Sequence, residues 1–209
     1  MGSGMSINNE TPGQDPSDLS GMVVAGRFQV ERRVGDGATG VVWKAHHLAL
    51  DRECAIKVLK DTSAADGQLA ARFRREGRAA SRLDHPNIVY ISDFGRMEDG
   101  RLYLVMEYIE GPSLRDVMAD GPMPRGRAFD VLRQVAAALD AAHEAGVVHR
   151  DIKPENILLQ VSEDGTDTVK ILDFSLAKIM DGSDLTALTK KGDLFGTPAY
   201  MSPEQVRSD

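Results

Sequence analysis

Near residue 110 the hydrophobic pattern of this chain changes period, and that change limits what it can fold into. Up to Ile109, apolar and β-branched residues cluster at Phe28–Val34, Val41–Ala45 and Cys54–Leu59 between turn-prone residues, which predicts three strands. A helix follows over about 68–83, stopped by "HPN" at 85–87 because Pro86 disfavours helical geometry in the residue before it. "NIVYISDFGRM" and "RLYLVMEYI" read as two more strands joined by a turn at Asp99 and Gly100. Beyond "EGPSL" the spacing turns helical: Ala128, Val131, Leu132, Val135, Leu139 and Ala142 share one face of a 125–145 helix that Gly146 ends. "VVHRDIKPENILL" and "TVKILDF" then put short apolar strands around a polar loop. The last stretch, polar and weakly periodic, reads as a long surface loop.

Composition narrows the function classes. The 209 residues are 42% hydrophobic and 27% charged, enough to bury a sizeable core. A formal charge of −7 argues against a general nucleic-acid binder or a polybasic membrane-surface protein. A single cysteine, Cys54, excludes an internal disulfide and points to a reducing, cytoplasmic setting; in its apolar run it reads as a small buried hydrophobe. No apolar run is long enough to span a bilayer. Residues 1–26 read as a disordered leader, with folded structure expected from Arg27. The opening "MGSGMS" fits a myristoylation pattern, but reads better as a Gly/Ser cloning scar ahead of Met5.

Four constellations carry chemistry. In "VGDGATGVV", Gly35, Gly37 and Gly40 lie between two strands, where backbone N–H groups can approach anionic oxygens; an unliganded flexible hairpin reads equally well. A following strand disfavours the dinucleotide-binding alternative, which requires a helix there. Lys57 sits in an apolar strand and calls for an anion, with Glu76 on the next helix as the candidate, or else snorkels from a sheet edge. In "HRDIKPEN", Asp151, Lys153 and Asn156 set an acceptor, a cation and a carboxamide in one loop, suited to orienting a hydroxyl, neutralising a phosphoryl group and holding a divalent cation. Asp173 at a strand end suits Mg²⁺, although a turn cap has the same appearance.

In order, "GDGATGVV", "CAIK", Glu76, "HRDIKPEN", "LDF" and "SPE" resemble the signature set of protein kinases over about 27–209. "HPNIV", "HRDIKPENILL" and "GTPAYMSPEQ" look like bacterial Ser/Thr kinases of the eukaryotic-like, Hanks type. Lys153 and Thr197 fit the Ser/Thr pattern better than the tyrosine one. The resemblance implies an α+β, two-lobe fold: a five-stranded antiparallel N-lobe with one main helix over 27–109, and a mostly helical, incomplete C-lobe over 110–209. It also implies transfer of the ATP γ-phosphate to protein Ser/Thr hydroxyls, with Mg²⁺ or Mn²⁺.

Carried onto this chain, the loop from Val34 through Asp36 lines the nucleotide site, with Gly35, Gly37 and Gly40 over the phosphates. Lys57, held by Glu76, contacts the α and β phosphates. Val42, Ala55, Ile109 and Leu158 sandwich the adenine, Met106 stands as gatekeeper, and the backbones of Glu107 and Ile109 bind the base edge. Asp151 orients the substrate hydroxyl, Lys153 steadies the γ-phosphate, and Asn156 and Asp173 hold the metal. Arg150 suggests control by a phosphate on the loop beyond Asp173, where Thr186 and Thr189 are the expected acceptors.

Two features depart from the family. Ser175 replaces the glycine of the metal-binding turn, which implies altered switching; a nucleotide-binding scaffold without turnover is the alternative. The chain also stops at Asp209, where family members continue for several helices. The expectation is either a fragment of a longer kinase or a homodimer that covers the exposed C-lobe surface.

Overall fold

The computed structural model describes residues 18–37, 40–60, 67–162, 165–174 and 198–207. Ser175, Thr186, Thr189 and Thr197 lie outside the described residues. One antiparallel sheet dominates the first half. Its strands are β1 (Val23–Val24), β2 (Phe28–Asp36), β3 (Gly40–His47), β4 (Arg52–Leu59), β5 (Ile91–Arg96) and β6 (Leu102–Glu107). They lie in the order β1-β2-β3-β4-β6-β5. Helix α1 (Gly67–Ala80) packs across the sheet through Phe73, whose ring meets Phe94 of β5 edge-on at 6.1 Å.

The period of two explains β4. Cys54, Ile56 and Val58 face the core shared with Phe28, Trp43 and Val105, while Ala55 and Leu59 join Phe73, Leu104 and Met106 on the other face. Alternation therefore puts Lys57 on the Ala55 face, toward α1 and the cleft.

The five expected strands are present, with a short sixth at one edge. The expected disorder of residues 1–26 fails over 18–26. Leu19 and Val24 are 1% and 3% exposed in the same core as Phe28. Val23 and Val24 pair with Gln29 and Phe28. Burial of these two side chains outweighs the polar, turn-rich composition around them.

In the second half, α2 (Leu114–Ala119), α3 (Arg125–Glu144), β7 (Ile157–Val161), β8 (Asp167–Ile171) and the short α4 (Pro203–Arg207) follow. Helix α2 begins at a capping box: Ser113 accepts from the Asp116 N–H and Asp116 accepts from the Ser113 N–H. The buried stripe of α3 is Val131, Val135, Ala138 and Ala142, rotated from the expected face. Phe129 and Leu132 are 73% and 60% exposed, and the expected homodimer rests on this surface. Val147 and Val148 form no strand; the polar loop ends instead in a 3-10 turn, Pro154–Asn156, which leads into β7. The last stretch holds a helical turn where a loop was expected.

The halves meet along a seam. Val89 N–H donates to Ile171 O at 3.0 Å and Ile171 N–H to Asn87 O at 2.8 Å, so the segment before β5 lies against β8. Among the described residues no helix is long and apolar enough to cross a membrane.

Candidate active site

The polar loop and the end of β8 are held by one hydrogen-bonded frame. Leu172 N–H donates to Asn156 O at 2.9 Å, and Leu172 O accepts His149 Nε2–H at 2.7 Å. Nδ1 of the same ring accepts the Asp151 N–H at 3.2 Å, which fixes the tautomer with its proton on Nε2. Burial holds the His149 imidazole below its usual value, opposed by the bond to Leu172 O, so the ring stays neutral. Its edge meets Phe174 at 4.6 Å. Arg150 and Asp173 both adopt left-handed backbone, with φ of 66° and 63°, a conformation that costs energy in non-glycine residues and is held here by the frame.

Within this frame Asp151 is the hub. Its Oδ2 accepts Lys153 Nζ at 2.7 Å and Asn156 Nδ2 at 3.1 Å, and its backbone O accepts Asn156 Nδ2 at 2.8 Å. The amide nitrogen of Asn156 is thus committed to Asp151, which leaves Oδ1 to meet a cation. Across the cleft, Lys57 Nζ donates to Asp173 Oδ2 at 2.6 Å. Lys57 and Glu76 are each 4% exposed. The expected Lys57–Glu76 pairing is not the arrangement observed: Lys57 is taken by Asp173, and Glu76 Oε1 accepts Arg75 Nε at 2.9 Å. A buried cation takes the carboxylate brought nearest to it, and the turn out of β8 brings Asp173.

The glycine hairpin joins β2 to β3. Gly35 pairs with Val42, and Gly37 N–H donates to Gly40 O at 2.9 Å. Gly40 has a structural reason apart from any ligand, because a Cβ there would lie 2.5 Å from Val58 O. Val34 is exposed, and Asp36 pairs with both Arg33 and Lys60. Ala55 and Met106 are buried register partners on β4 and β6, with Val42 and Ile109 packed partly buried against their cluster. Leu158 bridges to Ser113.

Sequence reasoning missed the fixing of Glu107. Its carboxylate accepts Lys170 Nζ at 2.8 and 3.0 Å and the Tyr90 N–H at 2.8 Å, while its own N–H donates to Tyr90 O at 3.0 Å. Gln134 was missed as well. Its Oε1 accepts from Asn87 Nδ2 and the Val169 N–H, and its Nε2 donates to Asp167 O, which ties α3 to β8 and the seam. Neither contact has a signal in local spacing, since each joins residues far apart in the chain.

The comparisons with known proteins agree with this geometry. A model of the protein kinase domain matches residues 28–209. The chain is 45% identical over 195 residues to the serine/threonine-protein kinase pkn3 of Myxococcus xanthus, covering 92% of this chain and 36% of that protein. It is 42% identical over 190 residues to the serine/threonine-protein kinase PrkC of Bacillus subtilis, covering 90% and 28% respectively. The crystal structure of the Mycobacterium tuberculosis PknI kinase domain superposes with a TM-score of 0.64 at 35% identity, covering 75% of this chain and 62% of that one. The chain therefore spans only about a third of the length of these curated relatives. With its curled antiparallel sheet, its hydrogen-bonded polar loop and these matches, the chain belongs to the protein kinase domain family, among the bacterial Hanks-type Ser/Thr kinases.

Proposed function

We propose that this chain transfers the γ-phosphoryl group of ATP to Ser or Thr hydroxyls of cytoplasmic protein substrates. The observation that carries this reading is the Asp151 hub, bonded to Lys153 and Asn156 and linked through Leu172 to Asp173. Catalysis of this kind needs positioned charge more than covalent chemistry, and the cluster supplies it on a rigid frame.

The residues fit a divalent cation. Asn156 has its amide turned to Asp151 and its oxygen to spare, and Asp173 has Oδ1 beside the oxygen that takes Lys57. Two protein oxygens suit Mg²⁺ or Mn²⁺, which complete their shells with water and phosphate. When bound, the ion would neutralise phosphate charge. Asn156 and Asp173 would hold it.

In this reading Asp151 accepts the hydroxyl proton of the protein substrate, and Lys153, already beside it, steadies the transferred group. Lys57 turns from Asp173 to the α and β phosphates, with Glu76 holding it there. Val34, Gly35, Asp36, Gly37 and Gly40 line the phosphates. Val42, Ala55, Ile109 and Leu158 enclose the base. The Glu107 N–H is already taken by Tyr90 O, so its carbonyl is the group offered to the base, together with the backbone of Ile109. Thr186 and Thr189 are the proposed autophosphorylation sites.

Labelled phosphate transfer from ATP by the 209-residue chain tests the reading, with Asp151→Asn as control. Transfer by wild type that falls on the order of 10²–10³ in the variant supports it. Equal signal from both rejects Asp151 as the acceptor. Peptide mapping of 181–197 after incubation with ATP and Mg²⁺ locates the phosphate on Thr186 and Thr189.

A further inference from the structure

Helix α1 carries a concentration of positive charge that the catalytic roles above leave unused. Arg74 and Arg78 are exposed and four residues apart, so they share one face of the helix, with Arg75 on its flank and the exposed Arg82 in the turn just past the helix end. This face lies across the helix from the buried Phe73 and Glu76. With Ala71 and Ala79, the four arginines line a shallow hollow of about 400 Å³, opened by the two short side chains between the long ones. Arg75 is paired with Glu76, whereas Arg74, Arg78 and Arg82 have no carboxylate within ion-pair distance among the described residues. Like charges four residues apart disfavour a helix. In a chain with net charge −7, such a row is an exception, and among the described residues an external anion is what would relieve it.

We propose that this face docks a phosphorylated segment of a partner protein, with phosphate oxygens held between Arg74, Arg78 and Arg82. All four cations of the hollow are arginine, whose planar fork binds phosphate through paired hydrogen bonds, as an ammonium group does not. Arg74 and Arg78 stand about 6 Å apart along the helix axis, so one dianionic phosphate bridges them. The arginines span only about two turns of chain, which suits one or two phosphates rather than a nucleic-acid backbone. The negative charge of the rest of the chain also repels a long polyanion. Phosphoserine and phosphothreonine are the class of product that the proposed reaction makes. The docking nevertheless rests on the arginine geometry and holds or fails independently of catalysis.

Fluorescence anisotropy on the full chain without ATP provides the test. The probe is a labelled twelve-residue Gly/Ala/Ser peptide with two phosphoserines four residues apart, compared with its serine and glutamate counterparts. The phosphopeptide should bind in a salt-dependent manner, at least about tenfold more tightly than the serine peptide. Arg78→Glu with Arg82→Glu should weaken it at least about tenfold with the circular dichroism spectrum unchanged, and the milder Arg78→Ala should weaken it less. Asp151→Asn should bind like wild type, so a failed kinase reading and a failed docking site give different results. Equal binding of phosphorylated and plain peptides, undiminished binding by the charge-reversed chain, or loss in Asp151→Asn would overturn the proposal. So would a tighter hold on the glutamate peptide, or on a single-stranded oligonucleotide of equal charge.

Discussion

Lys57 Nζ and Asp173 Oδ2 lie 2.6 Å apart, although 116 residues separate them in the chain. The contact joins the buried face of β4 to the turn after β8 and so spans the cleft between the halves. Asp173→Asn leaves the Lys57 ammonium, 4% exposed, without its carboxylate. Because Asp173 keeps part of its surface in water, the expected loss of stability is about 2 kcal/mol, below the value for a fully enclosed pair. Phosphate transfer should fall on the order of 10²–10³. Urea denaturation and labelled transfer on the same preparation separate the two effects. An unchanged urea midpoint would show that Lys57 finds another anion.

Gly111 lies where the chain leaves β6 and runs against β7, and a Cβ there would sit 2.2 Å from Leu159 O. Backbone cannot move aside as a flexible side chain does. Gly111→Ala should therefore destabilise by about 1–3 kcal/mol, seen as a lower thermal midpoint. A midpoint equal to wild type would mean that the two segments separate at no cost.

Glu107 is held by Lys170 and by the Tyr90 N–H, and its own amide bonds back to Tyr90. Lys170→Met removes the cation and keeps the length of the side chain. Amide hydrogen exchange at Tyr90 and Glu107 should then rise, because their protection depends on the fixed carboxylate. Exchange confined to residues remote from this corner would contradict the assignment.

His149 is buried and neutral, and its ring value lies below the ordinary one of about 6.5 because burial penalises the charged form. Above that ordinary value neither folded nor unfolded chain binds the proton, and the linkage contributes nothing. As pH falls below it, the unfolded chain takes up the proton first, so stability declines toward the lower folded value. Thermal midpoints measured from pH 7.5 down to 5 should fall more steeply for wild type than for His149→Asn. Parallel curves would assign the acid sensitivity to other groups.

Cys54 sits in the core, and burial raises its thiol to about 11. At neutral pH the reactive thiolate is scarce. A disulfide exchange reagent should modify the folded chain slowly and the urea-unfolded chain at once. Rapid labelling of the native chain would place Cys54 outside the core.

The sheet was legible in the sequence because apolar and β-branched residues cluster in short runs bounded by turn formers. The grouping of Asp151, Lys153 and Asn156 was legible because one short loop carries all three. Leu19 and Val24 escaped notice because two buried side chains among polar neighbours make no period. Helix α2, six residues long, is too short to show one, and its capping box in "SLRD" was the available signal. The pairing of Lys57 with Asp173 rather than Glu76 could not be read at all. It depends on where a turn after β8 and a neighbouring arginine deliver their charges, which is set by tertiary packing.

The short strand β1 has a mechanical consequence. It zips onto the start of β2, and β2 then runs nine residues to Gly35 and Asp36, with register shifts against β3 between Val30 and Arg32 and between Arg33 and Gly35. Tension on the residues before Asp18 would be borne by Leu19 in the core and by the bonds between Gly21, Met22 and Val30. It would then travel along β2, through its two register shifts, to the hairpin proposed to cover the phosphates. Whatever is joined upstream of this point pulls on the far end of the strand that carries that hairpin.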